Sequence, residues 1–391
     1  MIGIRRMIEA QVLGLTGMAL KEIDFERPKG EPGLFGPQSA IWQVHGDFTS
    51  MLCGGISALL LQMLHPLALA GVWDHSRFRE DILGRLRRTS QFISATTFAT
   101  TPDAERLIAK VQGIHQRIAG VDKDGTPYQA SDPALLTWVH VAECSCFMAS
   151  HLRYKRTVVS PERQEDYFRE SAEIARRLGA RDIPQTPQEV ADYLEAMRPR
   201  LRCDERTREV AEVLLSTRLP GRMSQPVGRV MMNAGIDLLP EWAQEMLGLS
   251  LTPLQRRTTR LMVHGVARVL RASVRNGAWH CAMRRCVPRR DSVRLAQVTG
   301  NQRLQTAIRP PLAKRVVYRV KTVHVRPGDA DGLLDLGKII RQYPHPGVLT
   351  GCRLQRLADA GDHIPFTGEE GVDCLLRRGK AMQAGVLQMA G

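Results

Sequence analysis

Aromatic residues are scarce in this chain, 5% of its 391 residues. The basic residues therefore have no interleaved aromatics on which bases would stack, and no DNA- or RNA-binding motif accompanies them. Also missing are a Gly-rich phosphate loop and a nucleophile elbow, which argues against nucleotide-driven and serine-hydrolase chemistry. The eight cysteines (53, 144, 146, 203, 281, 286, 352 and 374) follow no framework spacing. Cys144-x-Cys146 is a lone pair without the second pair a zinc site needs. Reduced, mostly buried thiols in a reducing, cytoplasmic compartment are the expectation. The amino-terminal apolar stretch, Ala10 to Leu20, follows Glu9 and leads to no small-residue cleavage pattern, unlike a secretory signal. Sustained period-2 alternation is nearly absent up to residue 271, and there are no internal repeats. A β-sheet body and a solenoid are both disfavoured.

What is present is a globular composition, 43% apolar and 24% charged, with a net charge of +15. The charge is uneven. Residues 273–391 carry 20 Lys+Arg against 9 Asp+Glu, so most of the excess sits in the last third. Such a segment suits an anionic membrane or nucleic acid, and the lack of stacking residues speaks against nucleic acid. Three regions are expected: a helix and loop over 1–38, an all-α domain over 39–272, and a basic, less regular C-terminal extension over 273–391. The fold class is all-α, a single large helical domain enclosing a buried cofactor pocket.

Start and stop signals predict the helices. A short helix spans 1–22, and a Pro/Gly-rich loop spans 26–38. A long uncharged run, Met51 to Val72, starts near Asp47 as N-cap and contains His65-Pro66. It reads as a buried core helix kinked or stopped near Pro66, in preference to a membrane span. A connection over 71–80 and helices over 81–95 and 103–119 follow, then a turn over 120–127 containing Asp124-Gly125. Further helices are expected over 133–157, 161–178, 187–198, 205–215, 226–237, 240–248 and 252–271.

The stretch from Met51 to Ile118 holds the residues of chemical interest. Leu107, Val111, Ile114 and Ile118 form one apolar helical stripe, and His115 borders it. There it is either a hydrogen-bonded core histidine or an imidazole ligand for a metal or haem iron. Arg85, Arg88 and Thr89 stand at i, i+3 and i+4 and share a helical face flanked by Ile82, Leu86, Phe92 and Ile93. They are either a solvated charge run or cations drawn toward a negative partner. His75 falls in the connection, as a cap or a pocket-lining residue. His140 lies inside a helix as a candidate second ligand. His140-x-x-Glu143 reverses the order used by di-iron bundles and has no second copy.

Several segments together resemble a known family. They are Val44-His45-Gly46-Asp47, Leu60-Leu61-Gln62-Met63-Leu64-His65-Pro66, Gly71-Val72 and His75-Ser76-x-Phe78. Next come Arg85-Leu86-Arg87-Arg88-Thr89, His115-Gln116-Arg117-Ile118-Ala119-Gly120, Tyr128-x-Ala130-x-Asp132-Pro133 and Leu135-Leu136-Thr137-Trp138-Val139-His140. Over roughly residues 40–270 the chain resembles the haem-dependent oxygenases that include the rubber-cleaving latex clearing proteins and the mycophenolic-acid-pathway oxygenase. The resemblance implies an all-α domain burying a haem b, with His115 as axial iron ligand and Arg85, Arg88 and Thr89 on the distal side. Arg88 stands where the rubber-cleaving members have Lys, and an arginine does not readily give up its proton. The implied partners are dioxygen, a hydrophobic small molecule such as an isoprenoid alkene, and an electron donor, with a peripheral membrane contact left open. The rival readings are a non-catalytic all-α lipid or terpenoid carrier, and a basic-tail protein acting on nucleic acid or membrane.

Overall fold

Polar caps and prolines start the helices where the sequence places them. In the computed structural model, which describes residues 2–155, 159–217 and 225–286, the order begins with α1 (Ile2–Leu15) and α2 (Ala40–His45). Then come α3 (Phe48–Gln62), α4 (Pro66–His75), α5 (Ile82–Phe98) and α6 (Thr101–His115). A short hairpin, β1 (Ala119–Val121) and β2 (Pro127–Gln129), precedes α7 (Pro133–Tyr154), α8 (Pro161–Leu178), α9 (Pro187–Met197) and α10 (Glu205–Leu215). The series closes with α11 (Gln225–Leu238), α12 (Glu241–Leu247), α13 (Pro253–Ser273) and α14 (Ala278–Cys286). The fold is all-α, as expected. Asp47 caps α3 by accepting from Ser50 N, and Asp132 caps α7 with Pro133 as its first residue.

The differences from the sequence reading are local. The helix expected over 1–22 stops at Leu15 and gives way to a 3-10 turn at Gly17–Leu20. The connection expected over 71–80 is helical as far as His75, because α4 restarts at Pro66 and nothing in Gly71-Val72 halts it. The turn over 120–127 opens into an antiparallel pair, Ala119↔Gln129 to Val121↔Pro127, closed by Gly125 at φ 82°. The run from Met51 to Val72 does break beside Pro66: α3 and α4 are bent by 104°. Among the described residues no single helix is long and apolar enough to cross a membrane. The segment beyond residue 272, drawn as the start of the extension, includes α14. The expectation of irregular structure over 287–391 lies outside the described residues.

The core centres on α3, which packs along α7 and α11. Leu60, Leu61, Leu64, Trp138, Met231 and Ala234 are almost fully buried there. Each large side chain so buried contributes about 1.5–3 kcal/mol. The helices come close because glycines face the contacts. A Cβ on Gly54 would stand 2.9 Å from Phe147 Cδ1, and one on Gly235 would stand 2.4 Å from Ile56 Cγ2. A second cluster joins α2, α5, α7 and α8 through Trp42, Phe98, Phe147, Tyr167 and Phe168.

Candidate active site

Helices α5 and α6 are joined by only Ala99 and Thr100, and they pack on each other. His115 is the last residue of α6, and Arg85 and Arg88 stand in the first two turns of α5.

Arg85 points into the body. Its side chain lines a pocket of about 20 Å³ formed by Leu59 and Leu60 of α3, Met63 just after it, Val72 of α4, Ile82, and Val210, Ala211 and Leu214 of α10. Its Nη1 donates to Ser76 Oγ at 2.8 Å. Among the described residues it has no carboxylate partner, and its guanidinium carries five donors. Burial, and then the neighbouring Arg88, lowers its pKa from the ordinary value. Arg88 differs. It is exposed and pairs with Asp81 Oδ2 at 3.4 Å. Thr89 is exposed as well. The structure thus separates the three residues of the shared face, one inside and two at the surface.

His115 is half-buried, and its Nδ1 is enclosed without a hydrogen-bond partner. A helix C-terminus favours a charged imidazole, yet burial lowers the His115 pKa and keeps the ring neutral near pH 7. Neutral imidazole is the ligand form. His75, at the end of α4, is exposed with its ring edge-on to Tyr128 at 6.3 Å. His140 lies one turn from Cys144, whose Sγ is 3.6 Å from its Nδ1. Burial, and then Arg176, pushes its pKa down to about 4. No direct bond links His115 to His75 or His140 among the described residues.

Two interior groups escaped the sequence reading as site residues. His45 bonds Thr97 Oγ1 at 2.9 Å and Tyr167 Oη at 3.2 Å. Burial, with His151 and His140 nearby, pushes its pKa down to about 3. Glu143 sits three residues after His140, so both share a face of α7. It makes no hydrogen bond or ion pair among the described residues, and burial raises its carboxyl to about 7. The one sequence signal for it was the His140-x-x-Glu143 spacing. Glu143 is the interior carboxyl best matched to proton exchange at neutral pH.

A family model described as "ER-bound oxygenase mpaB/B'/Rubber oxygenase, catalytic domain" matches residues 42–272. The chain belongs to this family. It carries an oxygenase catalytic domain, and the protein is an oxidoreductase. The carrier reading gives way to an enzyme. No curated relative and no solved structure matches the chain.

The donor types present, one neutral imidazole and one guanidinium without a carboxylate partner, are of the kind a haem takes. Among the described residues no three His, Cys, Asp or Glu side chains gather to hold a bare metal ion. A haem iron takes four ligands from its porphyrin and needs a single protein imidazole. His115 offers one, neutral and at the end of a helix. Arg85 offers unspent donors on the same hairpin.

Proposed function

We propose that this oxygenase domain binds haem b, with His115 as the axial ligand, and uses dioxygen to attack a double bond in a hydrophobic, isoprenoid-like substrate. The observation that supports it is His115, half-buried, neutral and with an unpartnered ring nitrogen, beside which the family match adds the oxygenase class. When bound, the haem supplies dioxygen activation.

The chain's own residues do the rest. Arg85 presents N–H donors to a carboxylate or to negative charge developing in the pocket, where low dielectric strengthens the attraction. Arg88 and Thr89, on the exposed side of α5, act at the rim. The apolar side chains of α3, α4 and α10 beside Arg85 keep water away from its guanidinium. Glu143 holds or releases a proton near neutrality. An electron donor enters only where turnover reduces dioxygen beyond what the substrate supplies. A water-insoluble substrate reaches such a pocket from a lipid phase, so contact with a membrane surface is part of this reading.

The test is an absorption spectrum of the full chain expressed with ample haem. The expected result is a Soret band that His115→Ala abolishes while the circular dichroism stays helical. Folded wild-type protein without a Soret band overturns the proposal.

A further inference from the structure

Helix α13 is turned inside out relative to an ordinary surface helix. The residues it buries are Thr259, Val263, Ala267 and Ser273, mostly small or polar. The residues it turns to solvent include Leu254 at 70% exposure, Leu261 at 73%, Met262 at 52% and Val269 at 51%. A soluble surface helix places its large apolar residues on the core side. Here four of the nine large apolar side chains exposed among the described residues lie on one helix.

They also form a line. Leu254, Leu261 and Val269 are separated by seven and eight residues, two turns each, so they fall along one stripe about 22 Å long. Arg257 and Arg268 are exposed beside it and make no ion pair among the described residues. Arg256 and Arg260, by contrast, turn inward to the buried Asp237. No Asp or Glu occurs anywhere in α13. At its carboxyl end the helix meets α1, where Arg5 donates to Ser273 O at 3.1 Å. The acidic residue of α1, Glu9, is buried and bonded to the backbone N–H groups of Arg275 and Asn276.

We propose that the outer face of α13 docks the domain on an anionic lipid surface, with Leu254, Leu261, Met262 and Val269 entering the interface and Arg257 and Arg268 meeting headgroup phosphates. Charge selects this occupant. A second copy would oppose arginine to arginine with no carboxylate on the helix to pair them. An apolar stripe flanked by unpaired cations is the pattern of an interfacial helix. The inference deepens the reading that the substrate arrives from a lipid phase, and it assigns the face that meets it.

The experiment is co-sedimentation of the full chain with phosphatidylcholine vesicles with or without phosphatidylserine. The double variant Leu261→Asp/Val269→Asp is compared with Val121→Asp, a control at an exposed apolar residue of β1. The face variant should bind the phosphatidylserine vesicles about tenfold or more weakly, and the control should match wild type. Arg257→Gln/Arg268→Gln, which leaves the stripe intact, should weaken the same binding by about tenfold and leave the neutral vesicles unaffected. If wild type binds and both face variants bind equally well, the lipid reading survives and this face is wrong. If wild type does not bind, the lipid reading and the face fall together. A wild-type dimer in free solution that Leu261→Asp/Val269→Asp dissociates would assign the face to a second copy and overturn the proposal.

Discussion

Two arginines enter the interior of this protein, and the fold treats them in opposite ways. Arg285 of α14 is 1% exposed. Its guanidinium donates to the carbonyls of Glu31 at 2.7 Å, Phe25 at 3.1 Å and Phe98 at 2.7 Å, and also reaches Ala99 O. It ties α14 to the amino-terminal loop and to the turn between α5 and α6. Arg85, at the far end of the same hairpin, has one hydroxyl partner. The first is a completed structural joint. The second is a half-buried cation with one hydroxyl partner and no carboxylate, and unspent polarity of this kind marks places where something else binds. The buried carboxylates obey the same division. Asp237 is surrounded by Arg153, Arg256 and Arg260. Burial works to raise the Asp47 carboxyl, and hydrogen bonds from Arg271 and Ser50 overcome it and hold it at about 2. Glu143 has no such partners.

The comparison breaks most visibly at Arg285. Arg285→Ala strands several buried carbonyls and should cost about 3–5 kcal/mol, read as a lower denaturant midpoint at unchanged slope. A loss below about 1 kcal/mol would mean the joint is ornamental.

Acid should expose the next largest effect, at His45. Its folded pKa is about 3 against an ordinary 6.5. The unfolded chain therefore takes up a proton first, and stability falls as pH drops from 6.5 toward 3, by about 1.4 kcal/mol per pH unit. His45→Asn should flatten that part of the stability–pH curve, measured by urea unfolding at a series of pH values.

Arg85→Leu removes a half-buried cation that has no carboxylate partner among the described residues. The apoprotein should be unchanged or stabilised by about 1 kcal/mol, whereas cofactor retention on a desalting column should drop. A destabilisation as large as that of Arg285→Ala would erase the contrast between the two residues. The smallest effect belongs to Arg88. Its exposed pair with Asp81 should be worth less than about 0.5 kcal/mol, so Arg88→Ala should leave the thermal midpoint nearly unmoved. Any change it makes to the haem spectrum would show that the rim reaches the cofactor.

Much of the fold was legible because local signals agreed with the tertiary outcome. Asp132-Pro133, Ser160-Pro161, Thr186-Pro187 and Thr252-Pro253 each begin a helix as written. Pro66 breaks the long apolar run where its ring forbids continuation. The site was less legible. Spacing put Arg85, Arg88 and Thr89 on a common face, but a helical face is wide, and the packing of α4 and α10 covers only the Arg85 side. Glu143 was named only through the His140-x-x-Glu143 spacing, which says nothing of burial; its meaning comes from what fails to surround it. The outward stripe of α13 was not read from the sequence at all; only the packed structure shows that its small residues turn inward.

By itself, the sequence determined the class of fold, the order and limits of most helices, and the family to which the chain belongs. Caps, prolines and 3.6-residue periodicity act within a few residues of chain, so they can be read from it. Only the tertiary structure decided which charges are satisfied. It closed Arg285, Asp47 and Asp237 with partners remote in sequence, left Arg85, His115 and Glu143 open, and turned the apolar stripe of α13 outward. Burial and partnership are properties of the surroundings, and in this protein the surroundings are assembled from helices that lie far apart along the chain.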